Sequence, residues 1–549
     1  MPRPAARNRS LYFTYPTYDF VPPRELGGAT LTHDVVIVGA GPVGLTAALE
    51  LARHGVACVV LDDKNTVNDG SRAICIARHS LEIMQQLGLA DRFVGKALGW
   101  THGTSYFGTQ PVYRLEMPHS ADERFYPMYN LQQQYVELFL AEAAMANPRI
   151  ELRWQNQVTA ASVTHDGATL QVRTPAGAYE LDARYVIAAD GARSIVRRSL
   201  GLPLKGESYE GCYVIADIRM RSAHPTERRA YFDSPGNPGS TVLLHRQPDD
   251  IWRVDYQLPP NESEEEALKE ENVRRHVGRI IEMVGERAPW ELEWWSLYKA
   301  YTLALDDYRH APVLFAGDAA HLVPIFGVRG LNSGLADAMN AAWKLAYVVR
   351  GLAPEGLLDS YSPERRGATL EIFDLAARST RFMTPPTRGY RAMRDAALAL
   401  AVRSDLTRPL INPRQSQPYT YAASPLTSHA RRDRDFQSGP IAGAPIVNQR
   451  MNANDYLLDR LGTGFTGIYF SKQDSAPAAV SQLAASLAVG DEALTLIALG
   501  TQQAMAAYDA TDGSFYLVRP DRHVAARWRR IEPAEVRDAF RQALGRGPS

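Results

Sequence analysis

The stretch DVVIVGAGPVGLTAALELARHGVACVVLD, residues 34–62, confines the chain to a narrow set of folds. Two short β-branched apolar runs, of the kind that form buried parallel strands, flank a segment with helical spacing that ends on Gly55. Gly39, Gly41 and Gly44 form G-x-G-x-x-G at the strand-to-helix junction. The first glycine permits a tight turn, the second lets backbone approach a pyrophosphate, and the third lets helix pack closely on strand. Pro42 lies in the same turn and belongs to the same expected cofactor contact. The helix N-terminus then offers unpaired N–H groups and a positive dipole to phosphates. Asp62 ends the second run, where a carboxylate accepts ribose hydroxyls; Asp63 is the neighbouring alternative, better suited to solvent. The expectation is an α/β, Rossmann-like dinucleotide-binding domain.

Two later turns repeat the theme. YVIAADGARSIVRRSLG (185–201) runs a strand into Asp190-Gly191, and PVLFAGDAAHLVP (312–324) runs another into Gly317-Asp318. A doubly wound sheet keeps its ligand crevice at such strand ends. After Asp318 come Pro324, Gly330, Leu331 and Asn332, then a helix with an apolar face. A second helix N-terminus far from the pyrophosphate suits the electron-rich carbonyl edge of an isoalloxazine ring, so the cofactor expected is an extended FAD. Simpler roles stand beside these: Asn332 as an N-cap, Asp190 as a turn residue, and His321 as a packed, hydrogen-bonded histidine.

At 549 residues the chain has room for two or three domains. An N-terminal extension (1–31) precedes an FAD-binding domain (32–205 and 300–405). Residues 206–299, with 100–120 contributing, alternate apolar and polar side chains as an antiparallel substrate-binding sheet does. Residues 406–445, rich in Pro, Ser and Arg, are expected to be a linker, and 446–549 a small α/β domain. A net charge of -1 gives no bulk field for nucleic acid or anionic membrane. The apolar run between Asp34 and Glu50 carries three glycines and falls short of the roughly 20 residues of a membrane span. Cys58, Cys75 and Cys212 form no C-x-x-C pair, which fits a cytoplasmic protein without disulfides or a metal site.

Together G-x-G-x-x-G (39–44), SRA (71–73), Gln133 with Glu137, DGARSIVR (190–197), GDAAH (317–321) and YSPERR (361–366) resemble the flavin-dependent aromatic hydroxylases of the para-hydroxybenzoate hydroxylase type. The chain also resembles their longer subgroup acting on phenols and hydroxyphenylpropionate, whose C-terminal domain is thioredoxin-like; YLVRPDRHVAARW (516–528) is similar to its ending. The resemblance implies a GR2-type FAD-binding domain. It gives Asp62 the adenosine ribose, Arg72 and Gln133 the FAD cleft, and Val158 the adenine. Asp318 would bind the ribityl chain, and Pro324, Gly330, Leu331 and Asn332 would frame the flavin ring. Asp190 and Gly191 would serve FAD and NADPH together. It also implies that NADH or NADPH reduces FAD, that O2 adds to give a flavin hydroperoxide, and that a small phenolic substrate is hydroxylated, with a homodimer as the assembly. Two departures stand out. GVRGLN replaces the usual Gly-Gln-Gly-Met-Asn turn and sets Arg329 next to the flavin. Ile74 occupies a position where the yeast-type phenol hydroxylase has an acid. On the middle sheet His245, Arg253 and Tyr256 are the catalytic candidates, with Tyr213 and Tyr298 behind them; a histidine near its ordinary pKa could relay the phenol proton. The competing functions are an FAD-dependent dehydrogenase or quinone reductase without oxygen insertion, and a non-catalytic FAD-binding protein.

Overall fold

The computed structural model describes residues 10–547 except 71, 165, 260–261, 325–326, 402–403, 405–417, 429–432 and 454. The two β-branched runs form β1 (Thr32–Val38) and β2 (Cys58–Leu61), joined through α1 (Pro42–Arg53). Gly55 at φ +79° follows the end of α1, a left-handed conformation that glycine adopts without Cβ strain. β2 pairs in parallel with β3 (Ile150–Arg153), and β1 with β4 (Gly177–Ala188), which pairs in turn with Val313–Phe315. The glycine turn, the Asp190-Gly191 turn and the Gly317-Asp318 turn therefore leave the carboxyl ends of three adjacent strands. Their side chains, Val35 to Ile37, Val60, Val186 to Ala188 and Leu314, are fully buried and form the core of this layer.

A second sheet has eight strands. Its central members are β5 (Lys205–Met220), β6 (Arg228–Ser234), β7 (Asn237–Arg246), β8 (Ile251–Gln257) and β9 (Trp290–Ala304), in the order β9-β5-β8-β7-β6. His102–Phe107 and Gln110–Glu116 extend it beyond β6, so the 100–120 segment joins the sheet as expected. The β6 pairing with His102–Phe107 is parallel; the other pairings in this sheet are antiparallel. One face is covered by α2 (Glu270–Met283), whose Val273, Val277 and Ile280 meet Val214, Val254 and Tyr256. The other face is turned toward the first layer and toward the helices α4 and α5 introduced below.

Three long helices follow: α3 (Gly330–Val349), α4 (Tyr361–Met383) and α5 (Arg388–Ala401). α3 lies almost wholly inside the molecule. The C-terminal unit is a four-stranded sheet in the order Thr495–Leu499, Thr466–Phe470, Phe515–Val518, Val524–Trp528, with the first pair parallel and the rest antiparallel. It docks on α3 through Trp343 and Tyr347, which pack with Phe465, Phe515, Trp528 and Phe540. A buried charge network crosses the same junction. Arg519 Nη1 donates to Glu364 Oε1 at 2.6 Å, Lys344 Nζ to Glu364 Oε2 at 2.7 Å, and Arg519 Nη2 to Asp521 Oδ2 at 2.6 Å.

The stretch expected to be a linker is, where described, packed into this junction. Tyr421, Leu426 and Phe436 are buried, and Tyr421 OH accepts from Arg365 Nη1 at 3.0 Å. Its Pro- and Ser-rich composition masked these apolar anchors, which follow no helix or strand period. The N-terminal extension is likewise held down from Ser10 onward. Ser10 Oγ and Leu11 N donate to the Glu293 carboxylate, and Arg219 Nη1 donates to Leu11 O. Phe13 packs edge-on against Tyr135, and Tyr18 stacks on Trp154 at 4.5 Å. The segment thus straps the second sheet to the first. Among the described residues no helix is long and apolar enough to cross a membrane.

Candidate active site

The first turn is built by steric exclusion. A Cβ on Gly39 (φ +106°) would stand 2.5 Å from Ala189 O, and one on Gly44 would stand 2.0 Å from Gly39 O. A Cβ on Gly41 would meet no protein atom within 4 Å. The outer two glycines therefore set turn and packing, and the middle one leaves backbone accessible from the crevice. Asp62 is folded back onto this loop: its Oδ2 accepts from Ala40 N at 2.7 Å and its Oδ1 from Lys64 N at 3.0 Å. Burial raises its pKa, against the pull of Lys64 and those two N–H donors. Asp63 is exposed and makes no contact with this loop among the described residues.

At the second turn Asp190 Oδ2 accepts from Ile195 N at 2.7 Å and Val196 N at 3.2 Å, while Oδ1 is buried without a hydrogen-bond partner among the described residues. Asp190 thus closes its own turn and keeps an unused acceptor. Arg197 joins the second turn to the third, donating to Ala192 O at 2.8 Å and Ala319 O at 2.9 Å. In the third turn Asp318 is open to the crevice, yet the protein around it raises its pKa, with His321 and Arg72 opposing. Behind it Asp337 organises the backbone, accepting from Gly317 N at 3.0 Å, His321 Nε2 at 2.7 Å and Arg365 Nε at 2.6 Å. His321 is fully buried and lies against Tyr308, a structural position.

Burial opposes ionisation of Asp337, but Arg365 and His321 outweigh it and hold the carboxyl low, at about 2. An unfolded aspartate titrates near 3.9, so this stabilisation is complete above that pH and is lost as pH falls through about 2. Asp337→Asn is expected to lower stability at pH 5, with the gap to the parent closing toward pH 2. Circular-dichroism unfolding across that range measures it, and a gap independent of pH would refute it.

Around the N-terminus of α3, Asn332 is a four-way clamp. Its Oδ1 accepts from Ala77 N (2.9 Å) and Ser80 Oγ (2.7 Å), and its Nδ2 donates to Cys75 O (3.1 Å) and Val328 O (2.7 Å). Val328 sits at φ +61°, a strained conformation for a β-branched residue, and the clamp holds it there. Gly330 and Leu331 begin α3 and Pro324 is buried just upstream. Arg329 is buried, and its Nη1 donates to Ile372 O at 3.0 Å in α4. That contact ties the guanidinium to α4 from the residue that precedes α3.

Gln133 and Glu137 fix the loop that carries Arg72. Gln133 Oε1 accepts from Ala73 N at 3.0 Å, its Nε2 donates to Glu137 Oε1 at 2.7 Å, and Glu137 Oε2 accepts from Asn68 N at 2.5 Å. Arg72 itself is exposed; Ser71 of the SRA motif lies outside the described residues. Val158 is buried in the strand Gln157–Val163. The open side of Gly41 and the exposed Asp318 lie at strand ends on either side of the Asp190 turn, whose Oδ1 is buried without a hydrogen-bond partner among the described residues. These donors and acceptors fit a long dinucleotide such as FAD.

The second sheet supplies the opposite wall, and strand alternation decides which side chains reach it. On the uncovered face, register sets Arg228, His245, Arg253 and Asp217 in one cross-strand row. Ala230, Leu243, Asp255 and Ile215 form the next, about 7 Å further along. Tyr213 and Phe232 lie beyond, under Met383, Leu398 and Ala401 of α4 and α5. Tyr256 is on the other face, stacked on His276 of α2 at 5.0 Å. It is therefore separated from His245 and Arg253, a correction that follows from the period of two.

Arg253 is spent on structure. Its Nε and Nη2 clasp Asp217, each at 2.8 Å, and its Nη1 donates to Arg72 O at 2.8 Å, tying the cofactor loop to the sheet. His245 is buried, and burial together with Arg228 and Arg253 pushes its pKa down to about 3. A histidine whose pKa is lowered in this way is a weaker proton acceptor than an exposed one, which counts against it as the phenol base. Tyr213 OH pairs with Thr384 Oγ1 at 2.8 Å and Tyr298 OH donates to Val323 O at 2.7 Å, both tethers. Absent from the sequence-derived candidates are Arg228 and Asp255. The signal for Asp255 was present: it lies two residues from Arg253 in a strand whose charges all point inward.

A sequence family described as FAD binding domain (FAD_binding_3) matches residues 32–376. The 3-(3-hydroxy-phenyl)propionate/3-hydroxycinnamic acid hydroxylase of Mycolicibacterium gilvum (strain PYR-GCK) is 29% identical over 90% of this chain and 88% of its own length. The protein of the same name from Klebsiella pneumoniae subsp. pneumoniae is 31% identical over 66% of this chain and 65% of its own. Among solved structures, p-nitrophenol 4-monooxygenase PnpA from Pseudomonas putida DLL-E4 superposes with a TM-score of 0.61 at 26% identity, covering 69% of this chain and 97% of that one. The flavin-dependent monooxygenase PieE, solved with FAD and substrate, gives a TM-score of 0.75 over 94% of this chain and 100% of that one; at 24% identity it attests the fold alone. The matched span carries every motif on which the resemblance to the flavin-dependent aromatic hydroxylases rests, and the chain belongs to the FAD binding domain family of those enzymes.

Proposed function

We propose that the chain is an FAD-dependent monooxygenase that hydroxylates a phenolic ring at the expense of NADH or NADPH. The observation that carries this reading is the joint between cofactor loop and second sheet. Arg253 bonds the Arg72 carbonyl, and Gly70 lies so close to Trp294 that a Cβ there would stand 2.2 Å from the indole nitrogen. A ring lying on the inward face of β6, β7 and β8 therefore lies beside the crevice that suits the flavin. When bound, FAD supplies the transfer of one atom of O2 to the ring, with two electrons from the nicotinamide cofactor and the second oxygen leaving as water. The protein's part is to orient the ring on Ala230 and Leu243, exclude water under α4 and α5, and favour the electron-rich phenolate. Gly39, Gly41, Pro42, Gly44 and Asp62 would hold the adenosine half. Arg72, Asp190, Gly191 and Asp318 would serve the middle, and the α3 N-terminus the ring. The names of the relatives support 3-(3-hydroxyphenyl)propionate and p-nitrophenol as first substrates to try.

FAD-loaded protein given NADH or NADPH and a panel of phenols should consume O2 in step with substrate. The product should gain one oxygen atom, labelled when 18O2 is supplied; a nitrophenol could instead exchange its nitro group for the hydroxyl. Nicotinamide oxidation that never labels a product would instead identify a dehydrogenase or quinone reductase.

A further inference from the structure

Asp255 is a buried acid on the substrate-facing side of β8, and no contact so far described uses it. It is 6% exposed, and its Oδ1 has no hydrogen-bond partner among the described residues. Register sets it at the centre of the inward face, beside Leu243 and Ile215 and with Ala230 beyond Leu243, one row from Arg228, His245 and Arg253. Arg228 is buried too, and its guanidinium makes no hydrogen bond or ion pair among the described residues. A carboxylate and a guanidinium buried on one face without hydrogen-bond partners are costly to fold, unless a ligand completes their hydrogen bonding.

We propose that Asp255 is the catalytic base of ring hydroxylation, accepting the proton of the substrate's phenolic hydroxyl, and that Arg228 faces the phenolate so formed. This rests on the reading of the chain as a phenol hydroxylase. The phenol O–H bond breaks, a new O–H bond forms on the Asp255 carboxylate, and the electron pair stays on the phenolate oxygen. That pair enriches the ortho and para carbons, which are the positions that accept oxygen. The proton returns to the product's oxygen before release. The groups that face Asp255 are Arg253 on its own strand, Asp217 and Tyr213 on β5, Arg228 on β6, His245 on β7 and Cys75 beneath the cofactor loop. Burial, with Asp217 adding to it, raises Asp255 to about 7 against Arg253 and Arg228. A base poised there is available at neutral pH and strong enough to draw the proton of a phenol whose anion lies beside arginines. The neutral His245 does not compete.

The test uses the full chain loaded with FAD, in the parent, Asp255→Asn and Asp255→Glu forms, with 3-(3-hydroxyphenyl)propionate, whose phenol stays protonated at neutral pH, as the probe; p-nitrophenol, which ionises there unaided, is the control that should lose little in Asp255→Asn. In the parent, kcat/KM for hydroxylated product should rise along a limb near pH 7. Asp255→Asn should lose that limb, fall about 100-fold or more at neutral pH, and recover at alkaline pH where the phenol ionises unaided. Asp255→Glu should restore a limb. Flavin content of each form controls for folding.

A second readout needs no turnover. A carboxyl whose folded pKa is raised stabilises below its unfolded pKa and loses that contribution as pH rises through about 7. The melting temperature of Asp255→Asn should therefore gain on the parent between pH 4 and pH 8. An Asn form with the parent's rate and pH profile overturns the base assignment while leaving the hydroxylase reading intact. A parent that labels no phenol overturns both, and the melting series then still reports whether Asp255 is buried and lone.

Discussion

Glu364→Gln should be among the most damaging single substitutions in the molecule, costing about 3–5 kcal/mol of stability. Glu364 is buried between Lys344 of α3 and Arg519 of the C-terminal unit; in the variant Lys344 loses its ion-pair partner and Arg519 loses one of its two. Burial already presses the Lys344 ammonium down to about 8 against the pull of Glu364. Without that pull Lys344 sheds its proton at neutral pH, whereas Arg519 cannot and must rely on Asp521 alone. Adding Lys344→Met should therefore recover part of the loss, because it removes a buried amine that has no remaining partner. Thermal unfolding of the single and double variants, with limited proteolysis reporting release of the C-terminal unit, measures the effect. A single variant that melts with the parent would show that the network is not what fastens the unit to α3.

Gly41→Val should leave the fold in place and weaken FAD binding on the order of 100-fold, the equivalent of about 2.7 kcal/mol. A Cβ there meets no protein atom within 4 Å, so the apoprotein should accommodate the branch, which would stand on the open side of the backbone between β1 and α1. Gly44→Ala makes the contrast. Its Cβ would stand 2.0 Å from Gly39 O and must push α1 off the turn, so it should lower the melting temperature of the apoprotein as well. Fluorescence titration with FAD, paired with apoprotein melting, separates the two. Equal flavin affinity in the parent and Gly41→Val would remove the glycine turn from the cofactor site.

The motifs that punctuate strand ends were legible because glycine geometry leaves few alternatives. Gly39, Gly44, Gly55 and the Asp190 and Asp318 turns all fall where local chemistry put them. The second sheet was legible as alternation, but its register was not, and register alone separates Tyr256 from His245 and Arg253. Burial was equally hidden. His245 has the residue type of a proton relay, yet burial, with two arginines brought near it by cross-strand pairing, lowers its pKa. Asp255 has the residue type of a turn or surface acid, and its isolation inside the sheet emerges only from neighbours contributed by β5, β6 and β7. The packing of the described part of 406–445 was hidden for a related reason: composition describes average solvation, whereas Tyr421 is held by one hydroxyl acceptor site for Arg365, more than fifty residues away in sequence.

The strap that begins at Ser10 carries a consequence for how the chain is made. The Ser10 partner, Glu293, lies 283 residues downstream, so the outer end of the strap cannot close until most of both sheets has been made, although Tyr18 can meet Trp154 and Phe13 can meet Tyr135 well before that. Until then only its aromatic contacts with Tyr135 and Trp154 hold the tail, which gives the nascent chain an interval of vulnerability to proteases and self-association.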